Sequence, residues 1–365
     1  MSDEIAFMRR ALELAAKGKG FTSPNPMVGA VIVKKGRIIG EGCHQRAGDK
    51  HGEIVALESC REDPQGGTIY LNLEPCCHQG RTPPCVETII KAGIKRVVAA
   101  MVDPNPLVNG RGFEILRQHG IKVEVGLCQQ EAEELNEKFI FFIKNSRPFV
   151  MIKAALSLDG KIATPTGKSR WLSSPEARGY VHQLRQEYDA IMVGINTVLR
   201  DNPRLTVRLP GVEKKEIIRV VLDSKLRIPF QCRLLREKRG GEVLVFTTPA
   251  APAERIEQLR GLGVEVVIAK EKGGRVDLKY ALKQLAERGI ISLLIEGGSE
   301  VFATALREKV INKVLFIYAP LIIGGRDSIP LFSGEGKKEL HSAYRLTKVH
   351  SYRLGPDVAI EGYLK

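Results

Sequence analysis

Residues 51–85 read HGEIVALESCREDPQGGTIYLNLEPCCHQGRTPPC, and the fold of the first half turns on them. His51-Gly52-Glu53 opens a predicted helix over 51–60, and 68–73 is a short apolar, β-prone run. Pro75-Cys76-Cys77-His78 follows at the end of that strand, and Pro83-Pro84-Cys85 leads into a second predicted helix over 84–92. Outward from this segment, Ile5, Met8, Leu12 and Ala15 recur at helical spacing over 3–17, stopped by Gly18 and Gly20. Residues 28–33 and 37–42 flank Lys34-Lys35-Gly36 and read as a hairpin. Downstream, strands at 96–102 and 122–125 alternate with helices at 113–119 and 131–144. After the hairpin, strand–helix alternation implies an α/β layered domain with a mostly parallel sheet.

One imidazole (His51) and two thiolates (Cys76, Cys85) form a three-ligand zinc set that leaves a fourth position for water. Bound zinc lowers the pKa of that water toward about 7. Glu53, two residues past His51, can reach the water without ligating the metal. H-x-E followed by P-C-x-x-C is the signature of zinc deaminases, in which the glutamate shuttles protons. Here eight residues separate Cys76 from Cys85, which reads as an inserted loop returning the chain to the metal. Cys77 and His78 are rival ligands, and a closed four-ligand structural site would leave Glu53 without a role. Taken singly, the histidine would be a cap and the cysteines small buried hydrophobes; the ordered set carries the reading.

With 365 residues, 43 % of them apolar and 27 % charged, the chain reads as a soluble globular protein of two domains, divided into 1–145 and 146–365 at Arg147-Pro148. Strands are predicted at 149–155, 190–193, 217–222, 243–247, 264–268, 291–295 and 314–319. Seven cysteines, an odd number without a secretion signal, argue against a disulfide framework. No apolar run approaches the roughly 20 residues a bilayer span needs, and the start Met-Ser-Asp-Glu is not a leader peptide, so a cytoplasmic protein without a membrane partner is expected. The net charge of +14 is uneven: residues 1–145 carry 19 basic and 18 acidic side chains, and 146–365 carry 37 and 24. A basic second half suits an anionic small molecule, whereas a nucleic-acid deaminase would carry its basic surface on the first half. The second half has no G-x-G-x-x-G after its first strand, so a Rossmann site is not supported there. Glu296-Gly297-Gly298-Ser299, at a strand end before a helix, exposes backbone N–H groups suited to phosphate.

These motifs together resemble the bifunctional deaminase–reductase family of riboflavin biosynthesis. The match runs through Pro24-Asn25-Pro26-Met27-Val28-Gly29, Gly40-Glu41-Gly42-Cys43-His44, His51-Gly52-Glu53, Glu74-Pro75-Cys76, Thr82-Pro83-Pro84-Cys85 and Asp103-Pro104-Asn105-Pro106. It continues through Ser157-Leu158-Asp159-Gly160-Lys161, Asp201-Asn202-Pro203-Arg204-Leu205-Thr206 and Glu296-Gly297-Gly298-Ser299. The family usually has alanine where this chain has Gly52 and serine where it has Cys77. The resemblance implies a cytidine-deaminase-like three-layer α/β domain followed by a dihydrofolate-reductase-like domain. It implies one zinc ion on His51, Cys76 and Cys85, with Glu53 catalytic, and hydrolytic deamination of 2,5-diamino-6-(5-phosphoribosylamino)pyrimidin-4-one. NADPH then reduces the ribosyl group to ribityl. Carried over by motif, the cofactor positions are Ala155, Trp171, Thr197, Asp201, Ser224, Gly298, Ser299, Glu300, Val301 and Phe302; the substrate positions are Ser169, Arg185, Leu205, Arg208 and Glu296. Arg185 and Arg208 suit a phosphate clamp, Lys153 is a candidate near the reacting sugar, and Asn25 and Asn105 are candidates for a pyrimidine edge. A homo-oligomer is implied by the resemblance alone.

Overall fold

The structure is a computed structural model; it describes every residue except Met1, 80–82, Val212, Lys214, Lys238 and Arg239. The chain forms two compact units, Met1–Ser146 and Arg147–Lys365. No described helix is long and apolar enough to cross a membrane.

The first unit runs α1 (Ser2–Ala16), β1 (Gly29–Lys34), β2 (Arg37–Cys43), α2 (Gly52–Glu58), β3 (Thr68–Leu71), α3 (Cys85–Lys91), β4 (Arg96–Ala99), α4 (Arg111–Gln118), β5 (Lys122–Val125), α5 (Gln129–Leu135) and α6 (Glu137–Asn145). Its sheet has the order β2-β1-β3-β4-β5; β1 is antiparallel to both neighbours, and β3, β4 and β5 run parallel. Alternation of side chains along each strand makes the layers. Ala30 and Ile32 pack with Ile69, Leu71 and Val97 against Ala56, Ile89, Phe113 and Leu116 of α2, α3 and α4. Val31, Val33, Tyr70 and Val98 point the other way, onto Met8, Ala11 and Leu12 of α1 and Ala132 of α5. The result is the expected three-layer sandwich.

The predicted single helix over 131–144 is instead two helices broken at Asn136. That side chain is buried, and it accepts from Met27 N at 2.8 Å and donates to Met27 O at 3.0 Å. A backbone-like pair of bonds to a distant segment outcompetes helix continuity, which no periodicity reveals.

The second unit runs β6 (Phe149–Ser157), β7 (Lys161–Ala163), α7 (Pro175–Gln186), β8 (Ala190–Gly194), α8 (Ile195–Asp201), β9 (Ile218–Leu222), α9 (Arg233–Arg236), β10 (Val243–Thr247), α10 (Ala253–Gly261), β11 (Glu265–Ile268), β12 (Glu271–Lys272), β13 (Arg275–Val276), α11 (Leu278–Glu287), β14 (Ser292–Gly297), α12 (Ser299–Arg307), β15 (Lys313–Ala319), β16 (Ile329–Pro330), β17 (Leu346–Leu354) and β18 (Asp357–Leu364). Nine strands form one sheet in the order β11-β10-β9-β8-β14-β6-β15-β18-β17, parallel from β11 to β15. The antiparallel β17–β18 hairpin was not anticipated; β17, Leu-Thr-Lys-Val-His-Ser-Tyr-Arg-Leu, is an edge strand exposed over much of its length, so apolar patterning is weak there. The neighbours β8 and β14 lead in opposite directions, β8 through α8 to β9 and β14 through α12 to β15 on the far side of β6. At such a switch point the two connections part and leave a crevice at the strands' carboxyl ends.

Candidate active sites

In the first unit, His51 caps α2, Cys76 follows β3, and Cys85 opens α3. His51 Nδ1 lies 3.1 Å from Cys85 Sγ and 3.5 Å from Cys76 Sγ, and one ligand atom from each of the three lies within 4.8 Å of the others. Gly52 has a local reason: a Cβ there would lie 2.8 Å from Val28 O and 3.3 Å from Cys43 Cα, so a bare backbone lets α2 start close against the sheet.

Sulfur and imidazole share protons unevenly. Cys76 accepts from the backbone N–H of Cys85 at 3.3 Å. The Cys85 thiol beside it, together with His51, holds Cys76 well below the ordinary thiol range. Cys85 is pushed up by its bond to Cys76 and by burial. Cys76 in turn raises the pKa of His51 against the effect of burial. Glu53 is buried, and Oε2 has no hydrogen-bond partner. Burial, then the negative charge of Cys76, pushes its carboxyl up to about 7. Two sulfurs and an imidazole converging beside a buried carboxylate with one oxygen unpartnered fit a zinc ion with an open position.

Among the described residues, Cys77 and His78 are outside this cluster; the Cys77 thiol donates to Leu107 O at 3.6 Å. Thr82 of the Thr-Pro-Pro-Cys motif lies outside the described residues. Asn25 Nδ2 meets His44 Nε2 at 3.1 Å. Asn105 is engaged in turn chemistry: its Oδ1 accepts from Leu107 N at 3.1 Å and its N–H donates to Asp103 Oδ1. Sequence reading overlooked Glu74. It is buried beside Pro75-Cys76, and its carboxylate accepts from the N–H groups of Asp103, Gly110, Gly112 and Phe113. The signal lay in the motif itself, an acidic residue at a buried strand end.

In the second unit, a cavity of about 1620 Å³ opens at the β8/β14 switch point. That exceeds the roughly 300–1,000 Å³ of a single-ligand site and leaves room for a dinucleotide and a second molecule. Ala155, Ser169, Trp171, Arg185, Thr197, Asp201, Leu205, Arg208, Ser224, Glu296 and 298–302 all line it. Gly194 ends β8 and Gly298 follows β14; Gly298 has φ 99°, and a Cβ on it would lie 3.6 Å from Gly194 N. Two strand–helix turns therefore meet, and the N-terminus of α12 opens onto the cavity. Basic side chains, among them Arg170, Arg178, Arg208, Lys225, Arg227 and Arg275, predominate on the wall.

Several expectations change in detail. Arg185 is not free as a phosphate clamp. Its Nε and one terminal nitrogen bind the two oxygens of Glu296 at 2.6 and 2.8 Å, and the other terminal nitrogen donates to Thr206 O at 3.0 Å. Burial would push Glu296 up, but Arg185 and then Lys153 outweigh it and hold the carboxyl down to about 2. Lys153, on β6, is lowered by burial and partly restored by Glu296. Arg208 keeps one bond, to Thr206 Oγ1 at 2.9 Å. The Ser224 hydroxyl accepts from Val276 N, the Ser299 hydroxyl donates to Pro330 O, and Glu300 pairs with Arg275 at 3.3 Å. Phe302 is a buried core side chain that also borders the cavity. Trp171, by contrast, is 68 % exposed and carries the Arg178 guanidinium 4.5 Å above its ring. His182 and the β12–β13 hairpin line the cavity and were missed. His182 stands three residues before Arg185 on α7, so helical spacing was the available signal.

The two units thus define a zinc-type deaminase domain joined to a reductase-type domain with a nucleotide-sized cavity. Residues 1–101 match the cytidine and deoxycytidylate deaminase zinc-binding region, and residues 148–360 match the RibD C-terminal domain. The riboflavin biosynthesis protein RibD of Actinobacillus pleuropneumoniae is 43 % identical over 358 residues, covering 98 % of this chain and 94 % of that protein. RibD of Aquifex aeolicus is 43 % identical over 354 residues, covering 97 % and 96 %. Among solved structures, Acinetobacter baumannii RibD aligns with TM-score 0.90 at 35 % identity, covering 100 % of this chain and 99 % of that one. A Thermotoga maritima diaminohydroxyphosphoribosylaminopyrimidine deaminase/5-amino-6-(5-phosphoribosylamino)uracil reductase aligns with TM-score 0.87 at 38 % identity over the same shares. The chain belongs to the RibD family of riboflavin biosynthesis proteins.

Proposed function

We propose that this chain hydrolyses the 2-amino group from 2,5-diamino-6-(5-phosphoribosylamino)pyrimidin-4-one in its first unit. Its second unit then reduces the ribosyl group of 5-amino-6-(5-phosphoribosylamino)uracil to ribityl with NADPH. The observation that carries the deaminase reading is the buried carboxylate of Glu53 beside the His51, Cys76 and Cys85 cluster. Zinc, when bound, acidifies a water at its open position. Glu53, buried beside the ligand cluster, takes a proton from the attacking water and returns it to the departing nitrogen. A C–O bond forms, the C–N bond breaks, and ammonia leaves.

In the second unit, NADPH, when bound, would supply a hydride to the sugar's C1′; the ring C1′–O4′ bond opens and O4′ takes a proton, which leaves the open ribityl chain. The turn at 297–299 and the α12 N-terminus support a pyrophosphate, and Trp171 at the cavity wall provides a face for a planar ring. Arg208 takes the substrate phosphate. Arg185 orients Glu296 and keeps it charged, and Lys153 beside Glu296 is the group placed to hold a proton near the sugar. The near-neutral charge of residues 1–145 favours a small phosphorylated pyrimidine over nucleic acid. Family resemblance favours a homo-oligomer working in the cytoplasm.

The test is Glu53→Gln in the full chain. Ammonia release falls at least about 100-fold, zinc content stays at one per chain, and NADPH oxidation with the deaminated substrate is unchanged. Unchanged ammonia release overturns the assignment of Glu53.

A further inference from the structure

We infer that His44 is a positioning residue of the deaminase site: it fixes the side-chain amide of Asn25 so that the carbonyl oxygen is left for the aminopyrimidine. This rests on the deaminase reading above. His44 is buried in the first unit, at 2 % exposure, and its ring stands edge-on to that of His51 with centroids 5.6 Å apart. Its Nδ1 lies 3.1 Å from the Lys50 carbonyl oxygen. A carbonyl only accepts, so in the neutral ring Nδ1 carries the proton and Nε2 is bare. Nε2 therefore accepts from Asn25 Nδ2, 3.1 Å away.

The backbone around Asn25 is already fixed. Its own N–H donates to Thr22 O at 2.8 Å. Two residues on, Met27 is held by two buried amides. Asn136 bonds both Met27 N and Met27 O, while Asn72 donates to Met27 O at 2.9 Å and accepts from Gly29 N at 2.8 Å. With the backbone held, the bond from Asn25 Nδ2 to His44 Nε2 sets which way the amide is turned. The choice matters chemically. The reacting edge of a 2-aminopyrimidinone carries N–H donors on and beside the carbon that loses ammonia. An amide oxygen accepts from them, whereas an amide nitrogen turned the same way would set donor against donor.

The experiment is a double-mutant cycle on the full-length, zinc-loaded chain with the diaminopyrimidine phosphate, reading kcat and KM for ammonia release. Wild-type turnover tests the deaminase reading itself; coupling between the variants tests the orientation. His44→Leu lowers kcat/KM on the order of tenfold. Asn25→Ala lowers it at least as far, and the double variant is no worse than Asn25→Ala alone. His44→Gln, which can accept from Asn25 and donate to Lys50, recovers most of the loss. Zinc content and reductase turnover of the same preparations stay at wild-type values. Additive losses, failure of His44→Gln to recover activity, or zinc loss in His44→Leu would each overturn the inference.

Discussion

Replacing Arg185 with methionine is the sharpest test of the second unit's electrostatics. The Arg185–Glu296 pair is bidentate and nearly dry, its side chains 12 % and 6 % exposed. Glu296 falls from 4.5 to about 2 in the folded chain, which corresponds to roughly 3 kcal/mol of stabilisation at neutral pH. Removing one partner of a buried pair typically costs about 3–5 kcal/mol, because the remaining charge stays buried. The two routes agree. The folded value lies below the unfolded one, so the stabilisation is full above about pH 4.5 and is lost as pH falls toward 2. In Arg185→Met, burial instead raises Glu296, and folding becomes easier once the carboxyl takes a proton. The deficit is therefore about 3 kcal/mol at pH 7 and narrows below about pH 5. Urea unfolding followed by fluorescence of Trp171, the only tryptophan, reports on the second unit alone. A loss under about 1 kcal/mol, or a deficit independent of pH, would refute the claim that Arg185 holds Glu296 charged.

Three further outcomes follow from the geometry. Chelation that strips zinc abolishes ammonia release and leaves NADPH oxidation intact, since every proposed ligand lies in the first unit; parallel loss of both activities contradicts this. Trp171→Ala raises KM for NADPH about tenfold while shifting the urea midpoint little, because the ring is exposed and a surface substitution costs within about 0.5 kcal/mol; circular dichroism follows the unfolding. Asn136→Leu leaves Met27 N without a partner and destabilises the first unit by about 1–3 kcal/mol. It also lowers deaminase turnover, which thermal unfolding and ammonia assays on one preparation would show.

What was legible in advance divides along a physical line. His51, Glu53, Cys76 and Cys85 lie within one stretch, and metal chemistry dictates residue types tightly enough for their order to be read. Alternating strands and helices gave the layers for the same reason, since burial imposes a period. The broken helix at Asn136 was illegible because its partner, Met27, is more than a hundred positions away and the bonds are to backbone. The reductase cavity was reachable by resemblance and not by spacing: its wall is drawn from the ends of parallel strands that are neighbours only in the folded sheet.

Arg185 shows how far charge can be read without its partners. A basic second half suggests an anionic ligand, and Arg185 reads as a phosphate clamp because a guanidinium matches phosphate geometry. In the fold that guanidinium is turned inward, both oxygens of Glu296 satisfied by it, with Lys153 as the third charge of a buried group. Such a cluster is costly to desolvate, and replacement by apolar side chains would be neutral or better for stability. What the arrangement provides at the cavity wall is chemistry: a carboxylate kept ionised next to an amine. Of the cations on the cavity wall, Arg208 is the one proposed above for the phosphate, and its guanidinium is held by a bond to Thr206 Oγ1 rather than by a carboxylate.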